Sequence, residues 1–118
     1  MRKGNEKKMK LWIDDVRPAP EGYVLCRSVN ETIEIIELVE SFYVYNSTTK
    51  EERRVVIELI DIDHDAGDYA SDGGDYIRLL DWIEETGRNY PIRIHSMNPV
   101  GVENMRRIIR KNGWTEVI

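Results

Sequence analysis

Cysteine is almost absent from this chain. Cys26 stands alone among 118 residues, so no disulfide can close within it, and a thiol preceded by Val24 and Leu25 reads as a buried one in a reducing compartment. No apolar run approaches the roughly 20 residues of a membrane-spanning helix. The basic opening MRKGNEKKMK leads into no apolar segment of signal-peptide length either, so a cytoplasmic protein with no membrane partner is expected. Linker-like stretches are missing, and a chain of this length buries about two-thirds of its unfolded surface as one domain. Residues 1–8 are expected to be a disordered basic tail and residues 9–118 the single domain.

Positive charge is in the minority, 17 Lys and Arg against 22 Asp and Glu for a net charge of −5. The basic residues gather at the ends. Arg2, Lys3, Lys7 and Lys8 lie in the tail, and Arg106, Arg107, Arg110 and Lys111 in a late segment whose helix dipole favours them. The middle is acidic, and its organising stretch is VVIELIDIDHDAGD, Val55 to Asp68. An apolar strand there delivers Asp61, Asp63, His64 and Asp65 to its own C-terminal end. Two like charges about 4 Å apart cost roughly 4 kcal/mol at an effective dielectric near 20, so the cluster predicts a cation site.

In chain order, MKLWIDD predicts a short buried strand ending in Asp14 and Asp15. VRPAPEG follows as an extended connector, because Pro18 and Pro20 exclude helix. YVLCR has strand length. Ser28 with Glu31 makes a capping-box signature, and Val29, Ile33, Ile36, Val39 and Tyr43 recur at helical spacing behind it. NSTTKEERR breaks that periodicity and returns the chain to the central strand. GDYASDGGD predicts a loop with Ser71 or Asp72 as the next N-cap. Tyr76, Ile77, Leu80 and Ile83 then form a helical stripe that stops near Gly87. Ile92 to Met97 predict a strand, and Asn98–Pro99 a helix start whose helix ends near Gly113. WTEVI predicts a last short strand.

Alternation of strands and helices from the second strand onward argues for an α/β fold with a parallel sheet covered on both faces. The seven-residue connector Val16 to Gly22 is too short for a helical crossover but, extended, spans roughly 20 Å. It therefore runs back along the sheet and sets the second strand parallel to the first. Sites in such sheets lie at the C-terminal ends of the strands, where Asp14, Asp15, Asp61 to Asp65 and Ser96 to Asn98 all fall.

LWIDD, IDIDHD and IHSMN at three strand ends resemble the response-regulator receiver domain. The resemblance matches Asp14 and Asp15 to its acidic pair, Asp63 to its phospho-accepting residue and Ser96 to its hydroxyl. It implies a flavodoxin- or receiver-like five-stranded parallel sheet in the order 2-1-3-4-5, here with the first crossover helix missing. Receivers also place a Lys at the end of the fifth strand, and the last segment here has none. DDVRPAP at Asp14 to Pro20, DHDAG at Asp63 to Gly67 and HSMNPVGVENM at His95 to Met105 resemble more closely the divergent cyclic-phosphate-processing receiver group. That resemblance implies processing of cyclic phosphates at RNA or nucleotide ends. Asp61 stands where the group more often has a small hydroxyl residue; it adds a carboxylate or is simply paired.

The carboxylates suit a hard divalent cation, Mg²⁺ or Mn²⁺, with Asp14 or Asp15 and Asp63 as ligands. Asp63, His64, Asp65 and His95 are the candidate catalytic residues, either imidazole serving as general acid or base. Arg17, Ser96 and Asn98 are candidate phosphate-binding residues, Arg17 as a bidentate grip in place of the missing Lys and Asn98 with the N–H groups of its helix. Each has a structural alternative: Asn98 caps its helix, Ser96 bonds the adjacent loop, and Arg17 neutralises the acidic edge. The reading is a metal-dependent phosphoesterase acting on cyclic or terminal phosphates of nucleotides or RNA. The alternative is a non-enzymatic or phospho-accepting signalling or binding module.

Overall fold

The computed structural model describes residues 5–46, 48 and 51–118. Strand β1 runs from Asn5 to Ile13 and β2 from Tyr23 to Cys26. Helix α1 follows at Val29–Ser41, then β3 at Tyr43–Asn46 and β4 at Glu51–Ile62. A short 3-10 turn at Gly67–Ser71 precedes α2 at Ile77–Glu85, β5 at Ile92–Ile94 and α3 at Pro99–Asn112. No helix among these residues is long and apolar enough to cross a membrane.

Local chemistry accounts for the helix ends. Ser28 Oγ accepts from the Glu31 N–H at 3.0 Å, while the Glu31 carboxylate reaches the N–H of Arg27 at 2.8 Å, one residue earlier than in the usual reciprocal box. Asn98 caps α3 by accepting from Gly101 N–H at 3.0 Å, Pro99 opens the helix, and Gly113 ends it in the left-handed conformation at φ 67°. Ser71 and Asp72, expected to start α2, do not. Asp72 instead accepts from Ser28 Oγ at 2.6 Å and from Asn30 Nδ2 at 3.0 Å, fastening its loop to the start of α1, and α2 begins after Tyr76 with no side-chain cap.

The parallel part of the sheet has the order β2-β1-β4-β5, with β1 and β2 in register from Lys10↔Tyr23 to Ile13↔Cys26 and no helix between them. Three features of the strands differ from expectation. The fifth parallel strand is reduced to a single bridge between Ile92 and Glu116, because β5 offers an edge of only three residues. Tyr43, expected at the end of α1, instead begins β3, which pairs antiparallel with the first residues of β4. That edge of β4 is open because β5 occupies only Ile60–Ile62 of it. The expected tail is strand from Asn5 onward, and residues 1–4 lie outside the described residues.

Helices cover one face of the sheet, not both. The steps β2 to β4 and β4 to β5 move in the same direction across the sheet, so right-handed crossovers put α1 and α2 on the same face. The step from β1 to β2 moves the opposite way, and its helix is the missing one. Burial follows this division: Leu11, Ile13, Cys26, Ile60, Ile62 and Ile92 are fully buried in one core with Ile36, Leu79, Leu80, Ile83 and Met105 of the helices. Lys10, Trp12, Tyr23, Leu25 and Leu59, on the opposite face by alternation, are only half-buried, and Arg93 is exposed. Pairing skips Glu58 between Met9↔Ile57 and Lys10↔Leu59, and this bulge returns Ile57 to the core side.

Burial pushes the Cys26 thiol up to about 12, so it stays a thiol. Far from the acidic edge, Glu40 accepts from Arg88 at 2.8–3.1 Å and from the Tyr90 hydroxyl. Those hydrogen bonds, Arg88 first, hold the Glu40 carboxyl below its ordinary range. A lowered carboxylate contributes stability above the unfolded-state value of 4.5 that is lost as pH falls through the folded value. Glu40→Gln is therefore expected to lower Tm at pH 7 by up to about 4 °C. In thermal melts across pH, that difference should close below pH 4.5.

Candidate active site

The site follows from the strand register. Ile13, Ile62 and Ile94 form one row across β1, β4 and β5. The next residue of each strand is Asp14, Asp63 and His95. Two backbone bonds carry the ladder one step further, Asp63 N–H to Ile13 O and His95 N–H to Ile62 O, both 2.9 Å. Ligand atoms of Asp14, Asp63 and His95 consequently lie within 4.8 Å of one another. Residues up to 81 positions apart thus meet at one point.

Asp14 is fully buried. One carboxylate oxygen accepts from the Val16 and Arg17 N–H groups at 2.9 and 2.8 Å, and the other faces His95 Nε2 at 2.9 Å. Burial alone raises this carboxyl, but the Arg17 and Val16 N–H groups and His95 outweigh it and hold the group below its ordinary range. The connector chosen by Pro18 and Pro20 thus turns back its first N–H groups to solvate the buried charge. Arg27 braces the turn, donating to the carbonyls of Asp14 and Arg17 at 3.1 and 3.2 Å.

His95 is held on three sides. Its Nδ1 lies 2.7 Å from Asp61 Oδ1, its Nε2 faces Asp14, and its ring stacks on Trp12 at 3.8 Å and 3°. Carboxylates only accept, so in the tautomer that frees Nε2 for a cation, Nδ1 donates to Asp61. Asp61 is 1% exposed and also takes a long 3.4 Å bond from the Tyr23 hydroxyl. Its role is thereby to orient His95, the paired alternative for this residue. Asp61 and Trp12 precede Asp63 and Asp14 by two residues, and in a strand that spacing means the same face. That spacing was the signal in the sequence for their alliance with His95.

Asp15 lies beside the cluster but outside it. Its carboxyl is raised, first by burial, with its own N–H opposing and the charges of Asp14 and Asp63 adding to the rise. It packs so closely on Gly67 that a Cβ there would stand 2.3 Å from Asp15 Oδ2, and Gly67 also needs its φ of +54°. Neither glycine contact was legible from motif spacing: Gly101, in the first turn of α3, likewise leaves room for the His64 ring, which an added Cβ would meet at 2.4 Å.

His64, Asp65 and Asn98 form a second group above the first. Asp63 Oδ1 accepts from His64 N–H at 2.7 Å, His64 Nδ1 lies 2.9 Å from Asp65 Oδ1, and Asn98 Nδ2 is 3.4 Å from Asp65 Oδ2. Ser96 accepts from Asn98 N–H at 3.1 Å, within its own loop. Arg17 donates to the carbonyl of His95 at 2.9 Å and lies 3.8 Å from Asp14, with 44% of its side chain exposed. A cavity of about 400 Å³ lies elsewhere, lined by Val39, Phe42, Ile57 and Tyr90 among others.

The family model described as cyclic-phosphate processing receiver domain matches residues 9–111. No curated protein and no solved structure matches the chain.

A raised carboxyl in the native state penalises the charged form. The native protein therefore gains stability as pH falls, and the penalty is complete above the folded value. Asp15→Asn is expected to raise the metal-free Tm at pH 7, measured in chelator. The gain should shrink as pH approaches the unfolded-state value of 3.8.

Proposed function

This chain belongs to the cyclic-phosphate processing receiver domain family, and on that premise we propose that it is a divalent-metal-dependent phosphoesterase. Its substrates would be cyclic or terminal phosphates of nucleotides or RNA. The supporting observation is the convergence of Asp14, Asp63 and His95 at the C-terminal edge of three adjacent parallel strands.

Two carboxylates and one imidazole fit a divalent cation. Carboxylates suit Mg²⁺ and Mn²⁺, and the imidazole nitrogen tilts the set toward Mn²⁺. When bound, the cation supplies Lewis-acid stabilisation of charge on the phosphoryl oxygens. The chain supplies the rest. Asp61 and Trp12 fix the His95 ring so that Nε2 stays directed at Asp14. Arg17 commits one N–H to the His95 carbonyl and keeps the rest of its fork for a phosphate.

His64 is the better proton donor of the two imidazoles, because both nitrogens of His95 are engaged by carboxylates. Asp65 holds His64 at Nδ1, and among the described residues Nε2 has no hydrogen-bond partner. Water adds to phosphorus as one phosphorus–oxygen bond of the ring breaks, the departing ribose oxygen takes the His64 proton, and the proton lost by the added water returns to His64. A phospho-accepting receiver is the competing reading, and it lacks a Lys anywhere in Trp114–Ile118.

Phosphorus NMR of a nucleoside 2′,3′-cyclic phosphate with Mn²⁺ or Mg²⁺ should show slow opening to the monoester. His64→Ala is expected to lower the rate at least about a hundredfold, and Asp63→Asn to abolish its dependence on metal. Stoichiometric phosphate on Asp63 after acetyl phosphate treatment, seen by mass spectrometry without any turnover, would overturn the enzyme in favour of the receiver.

A further inference from the structure

We propose that the helix-free face of the sheet is the binding platform for single-stranded RNA whose 3′ end presents its cyclic phosphate to the site. The inference rests on the phosphoesterase reading and narrows its substrate from a nucleotide to an oligoribonucleotide.

The face is bare for a topological reason. The β1 to β2 step is the one whose crossover helix would lie there, and it is replaced by the extended connector. Trp12, Tyr23, Leu25 and Leu59 accordingly belong neither to the core nor to the partly buried residues packed on it. They are half-buried, and among the described residues no helix is packed on them.

Its chemistry fits a polyanion. The chain has a net charge of −5, yet Lys8, Lys10 and Arg93 on this face are cations. Asp61, the acid at its upper end, is 1% exposed and engaged by His95, with Arg93 3.8 Å away. Glu6 lies 3.1 Å from Arg54, which neutralises it. Lys10 stands 5.0 Å over the Tyr23 ring, and Tyr23 meets Trp12 edge-on at 5.8 Å. Aromatic rings among cations form the common surface for single-stranded nucleic acid, with bases on the rings and phosphates on the cations. A protein partner would call for an apolar centre depleted of charge, whereas here Lys10 stands in register between Tyr23 and Leu59. Of the strongly exposed apolar side chains, Leu38, Phe42, Met97, Val100 and Ile118 lie on other elements and Val16 at the start of the connector.

The face is also continuous with the site. Trp12 stacks on His95 at 3.8 Å. From Trp12, alternate residues of β1 lead away through Lys10 to Lys8, in steps of about 6.6 Å. An RNA 3′ end with its cyclic phosphate at the acidic edge would thus lay its terminal nucleoside at Trp12 and Tyr23. Its preceding phosphates would follow Lys10 and Lys8.

The test uses the full chain and two probes, a fluorescein-labelled ten-nucleotide RNA ending in a 2′,3′-cyclic phosphate and the corresponding cyclic mononucleotide. Anisotropy and competition should show the oligonucleotide binding at least tenfold more tightly. Lys8→Glu/Lys10→Glu, or Lys8→Gln/Lys10→Gln should the charge reversal fail to fold, should weaken oligonucleotide binding severalfold or more. The slope of log K against log salt should fall in magnitude by about 1.4, and mononucleotide turnover should not change. Equal affinity for both probes, or an oligonucleotide Kd and salt slope unmoved by the substitutions, overturns the platform. So does a concentration-dependent dimer that the substitutions dissolve without any RNA binding. A chain that turns over neither substrate yet binds RNA through Lys8 and Lys10 keeps the platform and loses the phosphoesterase; mononucleotide turnover without oligonucleotide preference does the reverse.

Discussion

The hydrogen-bonded register across β1, β4 and β5 is the constraint on which everything else here depends. Apolar side chains drive these strands together, but the ladder decides which residues end level. Because Ile13, Ile62 and Ile94 share a row, the first residues beyond them are forced into company that their charges resist. Asp14 tolerates this through the N–H groups of its own turn, and its neighbour Asp15 does so less well. His95 is what makes the arrangement sustainable, since one ring offers nitrogens to two buried carboxylates and its face to an indole.

Loss of one crossover helix has two effects that belong together. The connector that replaces it is short, so its first N–H groups fall back on Asp14 and its Arg17 reaches the His95 carbonyl. The same loss uncovers the sheet face carrying Trp12 and Asp61, the two residues that position His95. A doubly covered receiver-like sheet would surround those side chains with helix. Here polar pairing and ring stacking substitute for that packing.

Much of this was legible in the sequence. Helix starts at Ser28 and Asn98, the parallel β1–β2 pair without a helix, and the acidic edge all follow from local chemistry. What escaped depended on context. Tyr43 fits a helical stripe by spacing, and only the vacant edge of β4 makes its segment a strand. WTEVI has strand composition, but the strand beside it is too short to extend a ladder. His95 was recognisable as a candidate, but its grouping with Asp14 and Asp63 needed the register across three strands, which one sequence does not print.

Strand β4 pairs with β1 along one edge and with both β3 and β5 along the other. Its pairing with β1 joins residues roughly 50 positions apart, so the chain must close a long loop before this ladder forms, whereas the β3–β4 hairpin closes locally. The acidic cluster has no substructure of its own to assemble early; it exists only once the slow ladder is complete. In hydrogen-exchange terms, Asp63 N–H and His95 N–H are expected to open only with the whole molecule. A chain with β1 undocked is therefore expected to lose the cluster even while its hairpin and helices persist, so site integrity reports on the completion of folding.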